Sequence, residues 1–204
     1  MPADSTGNIH TLAALLGASN HTSDRRADKD YYATDPAAVE PLFAREKFAG
    51  TIWEPAAGGG HLAEVARKYN PIYCSDITCR GYTRLDACLD FLATVRLPGA
   101  PREPIRSIIT NPPYSKAAEF AWHACELLEG DTDAKVALFL KIQFLEGQKR
   151  RKLFRRFPPR TVYVFSARQL CGKNGVFTGV QPAMCYCWFV WEIGFSGDPC
   201  IRWI

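Results

Sequence analysis

The chain has 204 residues, of which 47% are hydrophobic and 12% aromatic, which is enough for one packed domain of ordinary size. No apolar stretch approaches the roughly 20 residues of a membrane helix, and the N-terminus lacks the basic-then-apolar pattern of a signal peptide, so a cytoplasmic protein with no membrane partner is expected. A formal charge of +4 permits nucleic-acid binding without demanding it.

Residues 1–29 are polar and small and read as a largely mobile tail, although Leu12 to Leu16 could form a helical turn or two. From residue 30 to 204 the pattern alternates strand-like runs with amphipathic segments, and no linker divides it. Asp35-Pro36 looks like a helix start, with proline at the first helical position. Thr51-Ile52-Trp53 is a short apolar strand followed by the loop Glu54-Pro55-Ala56-Ala57-Gly58-Gly59-Gly60. Leu62, Val65, Ala66 and Tyr69 then recur at helical spacing. A second strand runs from Pro71 to Asp76, and a faint third lies near Arg84 to Cys88, ahead of Asp90-Phe91. The fourth, Ser107 to Thr110, stops at Asn111-Pro112-Pro113-Tyr114, because proline fixes φ and offers no N–H.

A helix is expected from about Lys116 to Leu128, a fifth strand over Val136 to Leu140, a sixth over Thr161 to Phe165 and a seventh over Cys185 to Trp191. This alternation predicts an α/β fold: a single domain whose seven-stranded, mostly parallel sheet carries helices on both faces. Ligands gather at the carboxyl ends of strands in such folds, where Glu54, Asp76, Asp90 and Asn111 all fall.

Those residues outline a site. A residue before proline is held extended, so Asn111 leaves its strand in one direction, with the Pro112 carbonyl free to accept a hydrogen bond. Two acceptors beside an aromatic face suit a flat heterocycle bearing an amino group. Gly58 and Gly60 permit a tight turn that lets backbone approach a ligand, or merely a tight turn. Asp76 suits a ribose, or a helix cap. Asp90 and Phe91 could read an adenine amino group and ring, or serve as a cap and a core residue. Tyr31 to Pro36 reads either as a cap with buried tyrosines or as a lid bringing an aromatic near a cation.

The cluster Lys149, Arg150, Arg151, Lys152, Arg155 and Arg156, with Arg160 beyond it, could engage phosphates or form a solvated helix face. Cys171 to Gly179 is read as a flexible loop whose Phe177 either covers a bound base or packs inward. The eight cysteines show no C-x-x-C pair and no histidine at zinc-like spacing, so reduced thiols and no metal are expected.

Taken together, these residues resemble the class I S-adenosylmethionine-dependent methyltransferases, and among them the N6-adenine DNA methyltransferases, whose catalytic motif is Asn-Pro-Pro-Tyr after a strand. Phe144 to Gly147, Pro158 to Ser166, Trp188 to Trp191 and the ending Ile201 to Ile204 are similar to a small, phage-type branch of that group. The resemblance covers residues 30–204 and implies a Rossmann-like domain with an antiparallel last strand, in a bacterial or phage-infected cell.

It implies S-adenosylmethionine as cofactor, bound by Tyr32, Thr34, Asp35, Pro36, Glu54, Pro55, Ala56, Gly58, Gly60, Asp76, Ile77, Asp90, Phe91 and Asn111. Catalysis falls to Asn111, Pro112, Pro113 and Tyr114. DNA is the implied partner, met by Tyr114, Phe177 and the basic cluster. One departure stands: the chain leaves no room for a separate target-recognition domain, which keeps RNA base methylation open. Glutamine methylation of release factors is a further alternative, although those enzymes carry a helical domain upstream. A nucleic-acid-binding scaffold with a vestigial pocket is the non-enzymatic one.

Overall fold

A computed structural model of the protein describes residues 31–99, 103–177 and 184–204. The expected tail at 1–29 and the end of the 171–179 loop lie outside the described residues. The chain enters through strand β1 (Tyr32–Thr34) and helix α1 (Pro36–Phe43). Asp35 caps that helix, its Oδ1 accepting from Ala37 N at 2.9 Å, and Pro36 opens it where an N–H is not needed.

There follow β2 (Thr51–Glu54), α2 (His61–Ala66), β3 (Ile72–Asp76), β4 (Ala87–Cys88), β5 (Ile105–Thr110), α3 (Ala117–Leu127) and β6 (Lys135–Lys141). Then come α4 (Arg151–Arg156), β7 (Thr161–Val164), β8 (Cys171–Lys173), β9 (Tyr186–Glu192) and β10 (Cys200–Trp203). Eight strands form one sheet in the order β10-β7-β9-β6-β5-β2-β3-β4, parallel except for β9, which runs antiparallel to β6 and β7. The expected α/β architecture is the one that forms.

The sheet has one strand more than the seven expected. Its eighth, β10, adds parallel to β7 at the edge, with all four residues exposed. A strand with neither face buried carries no alternation for a sequence to display.

Neighbouring residues of the central strands feed opposite cores, as strand geometry requires. Trp53, Ile108, Val136 and Leu138 join α3 and Leu153 of α4 on one face. Ile52, Ile109, Ala137 and Phe139 join α1 and α2 on the other. Fully burying one such side chain contributes about 1.5–3 kcal/mol, so both faces hold the sheet. The buried tryptophans keep their N–H groups paired: Trp53 donates to Ser75 Oγ (2.9 Å), Trp188 to Ala38 O (2.7 Å) and Trp191 to Phe157 O (3.0 Å).

A separate two-stranded sheet pairs β1 with β8, Tyr32 opposite Lys173 and Thr34 opposite Cys171. The start of the segment read as a flexible loop is therefore strand, fixed by a partner far away in sequence.

Candidate active site

The strand order reverses between β2 and β5, where a crevice opens at the carboxyl ends of parallel strands. A cavity of about 200 Å³ occupies that crevice. Glu54, Asp76 and Asn111 reach it from the ends of β2, β3 and β5; Asp90 and Phe91 border it from the segment after β4. Tyr32, Thr34, Pro55, Ala56, Ile77 and Pro113 complete the expected residues among its walls.

Two of the expected glycines shape the loop rather than wall the cavity. Gly58 (φ 56°) and Gly60 (φ 81°) both lie in the left-handed region. Neither has room for a side chain: a Cβ would stand 2.2 Å from the ring of Tyr31 at Gly58 and of Tyr82 at Gly60. Tyr31 lies across the loop, its hydroxyl accepting from Gly59 N (2.9 Å), with the Arg80 guanidinium 4.5 Å from its ring centroid.

The acidic residues are held firmly. Asp76 is buried and accepts Gly58 N and Thr78 N, each at 2.8 Å, one on each oxygen. A carboxylate has about four acceptor positions, so ligand hydroxyls can still be met. Glu54 is 2% exposed and its Oε2 has no hydrogen-bond partner. Burial first, and the Asp76 charge second, hold its carboxyl well above the usual carboxylate range, opposed by the Ala63 N–H and by Arg67. Asp90 Oδ1 accepts Leu92 N (2.9 Å), capping a 3-10 turn, and Phe91 packs edge-on against Trp53 (5.1 Å). The pair is thus a cap and a core residue, and both border the cavity.

The proline-locked corner behaves as its chemistry demands. Asn111 Nδ2 donates to Tyr32 O at 2.7 Å, which fixes the amide's orientation. Its Oδ1 is buried with no hydrogen-bond partner, beside the cavity. Pro112 is buried behind it and does not line the cavity. Tyr114 is stacked on Tyr32 (5.4 Å, 30°), and its hydroxyl donates to Tyr186 Oη at 3.3 Å and lies 3.7 Å from Cys171 Sγ. Burial, then Cys171 and Tyr186, push that hydroxyl well above the ordinary phenol range, so it stays neutral.

The remaining expected residues fall elsewhere. Asp35 and Pro36 start α1 and do not line the cavity. Phe177 is half-buried, edge-on to His61 (5.6 Å), and is not itself a wall of the cavity. None of the basic cluster borders the cavity. Arg150 donates to Phe144 O (2.7 Å), Gln143 O (3.1 Å) and Glu146 O, closing the turn ahead of α4. Arg156 pairs with Glu129, while Arg160 meets Glu192 at 3.3 Å. Lys149, Arg151, Lys152 and Arg155 stand exposed.

Several site residues carry no sequence signal. Arg80 and Lys116 wall the cavity, and the Lys141 ammonium sits 4.8 Å from the centroid of the Tyr114 ring. Tyr186 continues the aromatic column beneath Tyr114 (6.3 Å) and stacks on Phe139 (5.0 Å, 11°). Periodicity marks Tyr186 only as a strand residue; its role comes from the β6–β9 register, which sets it opposite Lys141.

No protein-family model matches the sequence, and no curated protein does. Solved structures do share the fold. A type I restriction-modification methyltransferase subunit from Streptococcus thermophilus superposes over 93% of this chain with TM-score 0.58 and 14% identity. The chain spans only 48% of that subunit. A putative RNA methyltransferase from Pyrococcus horikoshii matches 89% of this chain and 97% of its own, at TM-score 0.55 and 11% identity. A putative class I S-adenosylmethionine-dependent methyltransferase from Listeria monocytogenes matches 96% of this chain and 71% of its own, at TM-score 0.52 and 11% identity. At such identities the likeness is one of fold: this is the Rossmann-like architecture of class I methyltransferases.

Proposed function

We propose that this protein is an S-adenosylmethionine-dependent methyltransferase that methylates the exocyclic N6 of adenine in DNA, acting directly on a base taken out of the stack. The observation that carries the reading is Asn111: its Nδ2 is tied to Tyr32 O, and its Oδ1 is left as a buried, unpaired acceptor at the cavity wall. A buried carbonyl oxygen without a donor is costly unless a ligand supplies one. An exocyclic amine supplies two.

The cavity fits the cofactor. Glu54 Oε2 is a second unpaired buried acceptor, suited to an ammonium, and Asp76 keeps lone pairs for ribose hydroxyls. In this reading Asp90 and Phe91, at the cavity wall, receive the adenine portion. When bound, S-adenosylmethionine supplies an electrophilic methyl carbon on a sulfonium.

The chain's own contribution is positioning. The N6 lone pair is delocalised into the base, so the amine is a poor nucleophile. Asn111 Oδ1 and the Pro112 carbonyl accept its two hydrogens and favour the pyramidal geometry of attack, a preorganised effect that can supply several kcal/mol. Tyr114 offers the stacking face. A base stacked on that ring is worth about 1–3 kcal/mol.

The implied partner is DNA. RNA methylation is the second reading, favoured by the match to nearly the whole length of the archaeal putative RNA methyltransferase. Nucleoside mass spectrometry after incubating the protein with labelled cofactor and DNA, RNA or protein decides between them. N6-methyladenine in DNA is the expected product; methylcytosine, methylated RNA alone or methylglutamine would overturn the proposal.

The exposed Arg151 and Arg155 are the members of the basic cluster proposed to meet phosphates. Replacing either with alanine should flatten the log–log salt dependence of DNA binding by about 0.9. Replacing Arg150 should instead lower thermal stability, because it caps three carbonyls.

A further inference from the structure

At one edge of the main sheet β3 and β4 bring two thiols together. The strands are parallel, with Ser75 opposite Ala87 and Asp76 opposite Cys88. Leu89 N donates to Asp76 O and Asp86 N to Cys74 O, each at 2.9 Å, which fixes the end of β4. Beyond β3 the chain turns at once, because Asp76 Oδ1 accepts Thr78 N at 2.8 Å. Cys79 thereby returns to the strand pair, where its thiol donates to the Cys88 sulfur and lies near the Asp76 carboxylate. Both cysteines are free and exposed. The rest differ: Cys74, Cys125 and Cys187 are buried, Cys171 and Cys185 half-buried, and Cys200 stands exposed opposite Thr161. The Cys79–Cys88 pair also touches the ligand crevice through its neighbours. Cys79 stands between Ile77 and Arg80, both walls of the cavity, and Cys88 shortly precedes Asp90, another wall.

We propose that Cys79 and Cys88 form a reversible disulfide site that clamps this wall of the cavity, closed by low-molecular-weight disulfides and reopened by low-molecular-weight thiols. Its bearing on S-adenosylmethionine rests on the functional reading above; the chemistry of the two sulfurs does not. The hydrogen bond to Cys88 raises the Cys79 thiol pKa, so Cys79 keeps its proton and Cys88 attacks first. The Cys88 thiolate displaces one thiolate from the small disulfide and is left as a mixed disulfide. Cys79 then gives up its proton and attacks Cys88 Sγ, expelling the second small thiolate. Two protein thiols are oxidised to one disulfide, one small disulfide is reduced to two thiols, and both protons end on the leaving sulfurs. The bridge joins the segment bearing Ile77 and Arg80 to the one leading into Asp90, so both flanks of the cavity wall are held at once.

The test incubates the full chain with oxidised glutathione, then applies peptide mass spectrometry, thermal melting and titration calorimetry with S-adenosylmethionine. The expected product is a Cys79–Cys88 bridge, with Cys200 carrying glutathione alone. Cys79→Ser should stop at a glutathione adduct on Cys88, whereas Cys88→Ser should leave Cys79 slow to react. Bridging should raise Tm by about 5 °C, because it closes a short loop in the unfolded chain. It should also tighten S-adenosylmethionine binding about 3-fold, because part of the wall no longer has to be ordered on binding. Dithiothreitol should reverse both changes, and neither serine variant should show them. Absence of a Cys79–Cys88 bridge, even with glutathione on both sulfurs, would overturn the proposal. So would a bridge that leaves Tm and cofactor affinity unchanged or lower. If reduced and oxidised protein alike bind no S-adenosylmethionine, the functional reading fails, while a bridge seen by mass and Tm still upholds the disulfide site.

Discussion

Asn111→Ala is expected to lower kcat for methyl transfer by about 10²–10³-fold, the loss typical of removing one preorganised group from a transition state. Cofactor affinity should change by only a few-fold. The asymmetry follows from geometry. Oδ1 has no partner in the chain, so removing it leaves nothing in the folded protein unpaired; what disappears is the acceptor for the amine. The other end of the amide does hold something, since Nδ2 ties the Tyr32 carbonyl. Alanine therefore also loosens the strand that lies beside the cavity, which accounts for the modest affinity loss. Single-turnover transfer with isothermal titration of the cofactor separates the two effects. Equal losses in binding and turnover would make Asn111 a structural residue of the cofactor pocket.

Each strand buried on both faces was readable as an apolar run, because a central strand must satisfy two cores at once: Ile108 and Ile109 serve opposite faces of one sheet. Strand ends follow from the strands, so Glu54, Asp76 and Asn111 could be assigned to one crevice before their distances were known. The fixed direction of Asn111 was likewise local, a consequence of the proline after it. What orients its amide was not local. Tyr32 reaches Asn111 through a pairing between β1 and β8, and sequence pattern holds no record of which distant strand lies opposite.

The same limit hid Lys141 and Tyr186, whose meaning arises from where their side chains converge on Tyr114. The basic cluster shows the reverse error of weighting. A run of arginines looks like one surface in sequence, yet Arg150 turns inward onto carbonyls and Arg156 onto Glu129, so charge density overstates what a phosphate can meet.

Glu54→Gln should have the second large effect, and it separates a cost to the empty protein from a benefit to the occupied one. Burial and the nearby Asp76 raise the Glu54 pKa in the folded state above its unfolded value of about 4.3. Between those two values the native protein holds more protons than the unfolded chain, so stability falls as pH rises through that window. Glutamine is neutral throughout and keeps an oxygen for the Ala63 N–H. The variant should therefore melt higher than wild type above the window and lose that part of the pH slope. Thermal melts without ligand across pH read this directly.

Cofactor binding should run the other way. An ammonium placed at Oε2 favours ionised Glu54, so binding within the window expels a proton. Titration calorimetry in buffers of different ionisation enthalpy should register that release in wild type and not in the variant. Removing one member of a buried charge pair costs at least about 2 kcal/mol, which corresponds to about 30-fold weaker binding of S-adenosylmethionine. A variant that is no more stable when empty, yet binds as tightly as wild type, would show that Glu54 serves neither purpose and that its unpaired oxygen faces something other than the cofactor's charge.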